Sequence, residues 1–268
     1  MTPADPITSL TNPRVKAAVR LRDRRERETT GRTIVDGARE ILRALDAGVH
    51  VETAFLASEL VRSPDAHAVA DRLARRDTTI AVSPQVLAKV AFGDRSDGIV
   101  AIVETPRLRL TDVTLPADPL IVVVEGVEKP GNLGAILRSA DGAGVDAVIV
   151  ADPLTDSFNP NAVRASLGTI FALPVVTATS EATLAWLSGR GIRVVATIVE
   201  ASTPYTSADL TGPLAIVLGS EAGGLSAAWR TPEVAGISIP MAGIADSLNV
   251  SVAAAVVLFE AVRQRTDT

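Results

Sequence analysis

The chain has 268 residues, no cysteine, and only two histidines, His50 and His67. That composition excludes disulfides, thiolate nucleophiles and zinc fingers, and argues against a histidine-rich metal site or a Ser-His-Asp triad, so no metal is expected. Apolar residues make up 47% and the formal net charge is −5. No stretch approaches the roughly 20 uninterrupted apolar residues of a membrane span. Met1 to Leu10 lack the basic flank and apolar run of a secretory signal, so no membrane association and a cytoplasmic location are expected.

Residues 1–112 read as a small α/β domain. A helix is expected from Val15 to Arg27, a strand over Thr33 to Val35 and a helix from Ala38 to Ala47. Strand Val51–Ala57, helix Ala66–Arg75 and strand Thr79–Val82 follow. Ser83-Pro84 opens another helix, and Ile99 to Glu104 is a β-rich run. This part carries 18 basic and 16 acidic residues, a net +2, whereas 113–268 carries 8 and 15, a net −7. Arg14, Lys16, Arg20, Arg22, Arg24, Arg25 and Arg27 crowd one short stretch. Such a cluster is either a solvated, salt-bridged face or a surface for nucleic-acid phosphates. Aromatics are only 3% of the chain, so stacking of single-stranded bases is not expected. If RNA is bound, Arg20, Arg22, Arg24 and Arg25, with Arg32, are the candidate contacts, reading its backbone and shape.

A proline-bearing linker, 107–118, leads to a second domain over 113–268. Leu120–Val124 reads as a buried parallel strand. Helices are expected over 132–143, 160–168, 180–189 and 247–263, and strands over 147–150, 173–176, 192–199, 214–218 and 236–239. This alternation implies a mostly parallel, doubly wound sheet, with ligands at the carboxyl ends of its strands.

Three segments there combine strand ends with glycines and polar side chains. Glu125 to Arg138 passes from strand through Gly126, Pro130 and Gly131 to a helix that Asn132 is placed to cap. A helix N-terminus beside Arg138 suits an RNA phosphate. Ile216 to Ser226 holds Gly219, Gly223 and Gly224 but neither a P-loop nor the G-x-G-x-x-G fingerprint. Glu221 in that loop would repel a pyrophosphate and suits a cationic or hydroxyl-bearing ligand. Ile239 to Ala255 runs from a strand end through Met241 to Ser247 and Asn249, either of which is a natural cap for the last helix.

In this order the three segments resemble the motifs of the SpoU (TrmH-like) branch of the SPOUT RNA methyltransferases, over essentially the whole chain. Asn132, Gly134 and Arg138 match the first motif, Leu218-Gly-Ser-Glu-Ala-Gly-Gly224 the second, and Ile239-Pro-Met with Ser247-Leu-Asn-Val-Ser251 the third. Asn12-Pro13 and Thr33-Ile-Val-Asp-Gly37 are similar to the family's substrate-binding domain, although members commonly carry Glu where Asp36 stands.

The resemblance implies a small ribosomal-protein-like RNA-binding domain followed by an α/β-knot domain whose trefoil knot holds S-adenosyl-L-methionine. Thr197, Leu218, Gly219, Gly223, Ile239, Met241, Leu248 and Val250 are the expected cofactor residues. Arg138, Asn132, Glu221, Ser247 and Asn249 are the expected catalytic set, and Arg164, before Ala165-Ser-Leu-Gly168, is a further candidate RNA contact. A homodimer and a structured RNA substrate follow, ribosomal RNA before tRNA because a full N-terminal domain is present. A non-catalytic RNA-binding relative is the alternative that retained motif residues argue against.

Overall fold

The computed structural model describes residues 5–74, 78–93, 97–220 and 223–266. Two compact units divide it: Met1–Pro106 with Phe158–Ala172, and Arg107–Ser157 with Leu173–Thr268. The first division falls at 106/107 rather than 112/113, and a segment from within the second half joins the first unit.

Pro13 opens α1 (Pro13–Arg20), with the Asn12 side chain accepting from the Arg14 amide at 2.9 Å. The single helix expected over Val15–Arg27 is broken here. Asp23 adopts extended dihedrals and caps α2 (Arg24–Thr30), accepting from the Arg25 amide at 2.7 Å. A short acidic side chain competes for backbone amides and favours a cap over a helix interior.

β1 (Arg32–Asp36), α3 (Ala38–Asp46), β2 (Val51–Leu56), α4 (Pro64–Ala74), β3 (Thr79–Ala81), α5 (Pro84–Val90) and β4 (Ile99–Glu104) complete the alternation. Their sheet runs β1-β4-β2-β3, with β4 antiparallel to both neighbours and β3 parallel to β2. Val15 and Ala18 of α1 and Val86 and Leu87 of α5 cover Ile34, Phe55 and Val100 of this sheet.

β5 (Leu120–Glu125) begins the second sheet. α6 (Pro130–Gly142) starts two residues before its expected position, because Pro130 is preset for a first helical turn. Asn132 therefore lies inside that turn and does not cap it. After β6 (Ala147–Ala151), α7 (Pro160–Ala165) packs in the first unit. The helix expected to reach 168 stops early: Gly168 has φ +82, and a Cβ there would meet the Glu40 Cα at 2.9 Å. β7 (Val175–Ala178), α8 (Ser180–Ser188), β8 (Arg193–Thr197), β9 (Leu214–Leu218), β10 (Val234–Ile237) and α9 (Val250–Thr266) follow.

Six parallel strands lie in the order β10-β8-β9-β5-β6-β7. Every residue of β5, β6 and β9 is buried, as strands covered on both faces require. Ile121, Ile149, Val217, Trp186 and Trp229 share one core, while α6 packs against α9. The carboxyl ends of β10, β8, β9 and β5 thus stand side by side. Among the described residues no helix is long and apolar enough to cross a membrane.

Candidate functional site

The loop after β9 folds back on itself. Ser220 and Gly224 exchange both backbone hydrogen bonds, at 3.1 and 3.0 Å, and the Gly223 amide donates to Ser220 Oγ at 3.0 Å. A Cβ on Gly219 would stand 2.4 Å from the Gly224 carbonyl carbon, so only glycine permits this closure. After β10, residues 238–249 form a second loop. Asn249 ends it, its side chain accepting from the Ser251 amide at 3.0 Å and hydroxyl at 2.6 Å. Asn249, not Ser247, caps α9, and the helix starts at Val250 instead of 247.

Between these loops and the end of β8 lies a cavity of 520 Å³, within the roughly 300–1,000 Å³ range of small-molecule sites. Thr197, Leu218, Gly219, Gly223, Ile239, Met241, Leu248 and Val250 all line it, as do Ser247 and Asn249. The Thr197 hydroxyl is turned to the Val217 carbonyl, 3.2 Å away, and ties β8 to β9. Apolar Leu218, Ile239 and Leu248 beside the exposed backbone of a glycine loop make a cradle for a flat heterocycle carrying hydrogen-bonding edges.

A smaller crevice shares Gly219, Ser220 and Val250 with the cavity and extends to Lys129 and Asn132. The Asn249 side-chain amide donates to Asn132 Oδ1 at 3.4 Å, which joins the first and third motifs. Arg138 is exposed on α6 and lines neither space. Glu221 lies outside the described residues.

Beneath the site, Glu125 at the end of β5 is buried. Its carboxylate accepts from Ser180 Oγ at 2.7 Å, the Ser226 amide at 2.8 Å and Ser226 Oγ at 2.6 Å, and Trp229 Nε1 donates to Ser180 Oγ at 3.2 Å. This network holds the strand that leads into the first motif against the segment that follows the second. Sequence reasoning gave Glu125 no role, although an acid closing a wholly apolar strand is a signal. Glu200, Arg230 and Asp246 also line the cavity and were not singled out.

In the first unit the cation cluster is only partly free. Arg20 pairs with Glu26 at 3.4 Å, Arg24 with Glu28 at 2.6 Å and Arg32 with Glu52 at 2.6 Å. Arg22 donates to the carbonyls of Lys89 and Ala91, and the buried Arg27 to those of Leu21 and Arg22. Arg14, Lys16 and Arg25 are exposed and make no ion pair among the described residues. Arg164 packs in the first unit over Gly93, its Nη1 3.7 Å from Asp36 Oδ2. Burial pushes the Asp36 carboxyl up, against the opposing effect of the Phe92 amide and Arg164, and burial raises Glu40 as well. Among the described residues no His, Asp and Glu side chains group as metal ligands.

Comparison with known proteins matches residues 119–259 to the SpoU rRNA Methylase family and residues 12–101 to the MRM3-like substrate binding domain. The 23S rRNA (uridine(2479)-2'-O)-methyltransferase of Streptomyces viridochromogenes is 35% identical over 91% of this chain and 87% of its own length. The 23S rRNA (guanosine-2'-O-)-methyltransferase RlmB of Pectobacterium atrosepticum is 43% identical over 68% of this chain and 78% of that protein. Among solved structures, an AdoMet-bound rRNA methyltransferase from Sinorhizobium meliloti superposes with a TM-score of 0.87 at 33% identity, covering 97% of each chain.

Proposed function

The chain belongs to the SpoU rRNA methylase family, and from that premise we propose that it methylates a ribose 2′-hydroxyl of 23S ribosomal RNA. S-adenosylmethionine is the cofactor, and the observation that carries the reading is the cavity lined by the second and third motifs, which shares Gly219, Ser220 and Val250 with a crevice that reaches Asn132. When bound, that cofactor supplies an electrophilic methyl group on a sulfonium. Everything else falls to side chains and backbone of this chain.

Backbone amides and carbonyls of the described segments that follow β9 and β10 would hold the adenosine, with apolar Leu218, Ile239 and Leu248 of the cavity lining available to its base. Asn132 and Asn249, whose side chains are already 3.4 Å apart, orient the incoming ribose together with Ser247, and Glu221 is assigned to the same task by its place in the second motif. Arg138 clamps the RNA phosphate next to that ribose and steadies charge developing on the 2′-oxygen. A guanidinium already carries its proton and is a poor proton acceptor, so the clamp is the role assigned to Arg138 in preference to general base. The reading calls for no metal ion.

The RNA is held by the N-terminal unit through Arg14, Lys16 and Arg25 with the partly paired Arg20 and Arg24. A ribosomal RNA target places the reaction in the cytoplasm. Two chains pair through α9, whose Val252 and Phe259 are 48% and 51% exposed, and the chain threads the trefoil expected of the family. The experiment is methyl transfer from labelled S-adenosylmethionine to 23S rRNA and to tRNA transcripts. Label in 23S rRNA alone supports the reading; label in tRNA alone reassigns the substrate, and none in either removes the activity.

A further inference from the structure

Arg230, Glu200 and Asp246 also line the cavity, and the proposed function gives them no role. Arg230 follows the short 3-10 turn Ala227–Trp229, anchored by the fully buried Trp229. Its Nε donates to the Leu225 carbonyl at 3.2 Å, and one terminal nitrogen lies 3.9 Å from where a Cβ of Gly224 would stand. The guanidinium is thus fixed over the closed glycine loop by one of its five N–H groups, and both terminal nitrogens keep their donors for a ligand. Among the described residues it has no carboxylate partner.

A fixed guanidinium with two unused terminal nitrogens matches a carboxylate in bidentate fashion. The other charged groups of the cavity decide which anion. Glu200 and Asp246 give the described lining two negative charges against one positive. An RNA phosphate would gain one attraction and meet two repulsions there. An amino-acid zwitterion attached to a sulfonium satisfies both signs, since it carries one carboxylate and two cationic centres.

We propose that Arg230 binds the α-carboxylate at the methionyl end of the cofactor, with Glu200 and Asp246 facing its cationic groups. This rests on the reading that the cavity holds S-adenosylmethionine, and it adds a subsite that recognises the amino-acid end of the ligand rather than its adenosine.

The test is calorimetric titration of the full-length protein and of Arg230→Gln with three ligands. S-adenosylmethionine and S-adenosylhomocysteine carry the amino-acid end; 5′-methylthioadenosine lacks it. Arg230→Gln is expected to raise the Kd of the first two by roughly five- to twentyfold, a range discounted because the side chain is exposed in the free protein. The Kd for methylthioadenosine is expected to stay within about twofold, which shows an intact adenosine site, and Arg230→Lys recovers part of the loss. Equal weakening of all three ligands, or of none, overturns the subsite while leaving the cofactor reading in place. A wild-type protein that binds none of the three overturns both.

Discussion

Arg138 stands exposed on α6, outside both the cavity and the crevice, which is where a group that touches RNA but not the cofactor should be. Arg138→Ala is therefore expected to slow methyl transfer by about a hundredfold or more, the usual loss of an oxyanion-stabilising donor, while cofactor affinity stays at the wild-type value. Arg138→Lys keeps the charge and loses the fork, so residual activity in that variant measures how much of the clamp is bidentate geometry. Normal turnover by Arg138→Ala would make it a surface residue. Glu40 offers a test of a different kind. Its carboxyl is buried and pushed up from the ordinary 4.5 by desolvation. A carboxyl raised in the folded state favours its protonated form, so the stability linked to it is complete below 4.5 and is lost as pH rises through the folded value. Glu40→Gln removes that ionisation. Its melting temperature should exceed that of the wild type at pH 8 and match it at pH 4; the same difference at both pH values would contradict the assignment.

Helices and strands show what the residues made legible and what they hid. β5, β6 and β9 were readable because each is a short, almost wholly apolar run bounded by Gly, Pro or Asp, whereas β10, which carries Gly236 and lies between Glu233 and Ser238, begins two residues before its expected start at 236. Helix ends were less so, since they depend on single side chains. Asp23 splits the basic helix by capping, Pro130 draws α6 forward past Asn132, and Asn249 rather than Ser247 accepts the Ser251 amide. Cavity-lining positions were legible through the resemblance of the motif segments to the SpoU family, with glycines at the strand ends making close approach of a ligand to the backbone physically sensible. Arg230 and Asp246 were not, for nothing local marks a charged loop residue as facing inward. The cation cluster was legible as a charge density but not as a surface, because Arg22 and Arg27 are committed to backbone carbonyls. Replacing Arg14, Lys16 and Arg25 together with Gln should weaken RNA binding and flatten its dependence on log salt by about 0.7 to 0.9 for each phosphate no longer neutralised. An unchanged salt slope would show that α1 and α2 present only a solvated face.

At the scale of the whole molecule, the net +2 of residues 1–112 and −7 of residues 113–268 accord with a division of labour between a unit that meets a polyanion and one that holds a small cationic ligand. The second unit leaves Phe259 and Val252 of α9 about half exposed, apolar surface that the packing of α9 on α6 does not fully cover. Light scattering at micromolar concentration should give the mass of two chains, and Phe259→Asp should give that of one; a wild-type monomer would remove the pairing. The central claim concerns the atom that receives the methyl group. Labelled S-adenosylmethionine and a 23S rRNA transcript are incubated with the protein, the RNA is digested to nucleosides, and the labelled product is identified by mass spectrometry. We expect a single 2′-O-methylnucleoside with the label on the ribose, absent from a parallel reaction with Arg138→Ala. A label on the base, or no labelled nucleoside from the wild-type protein, would contradict it.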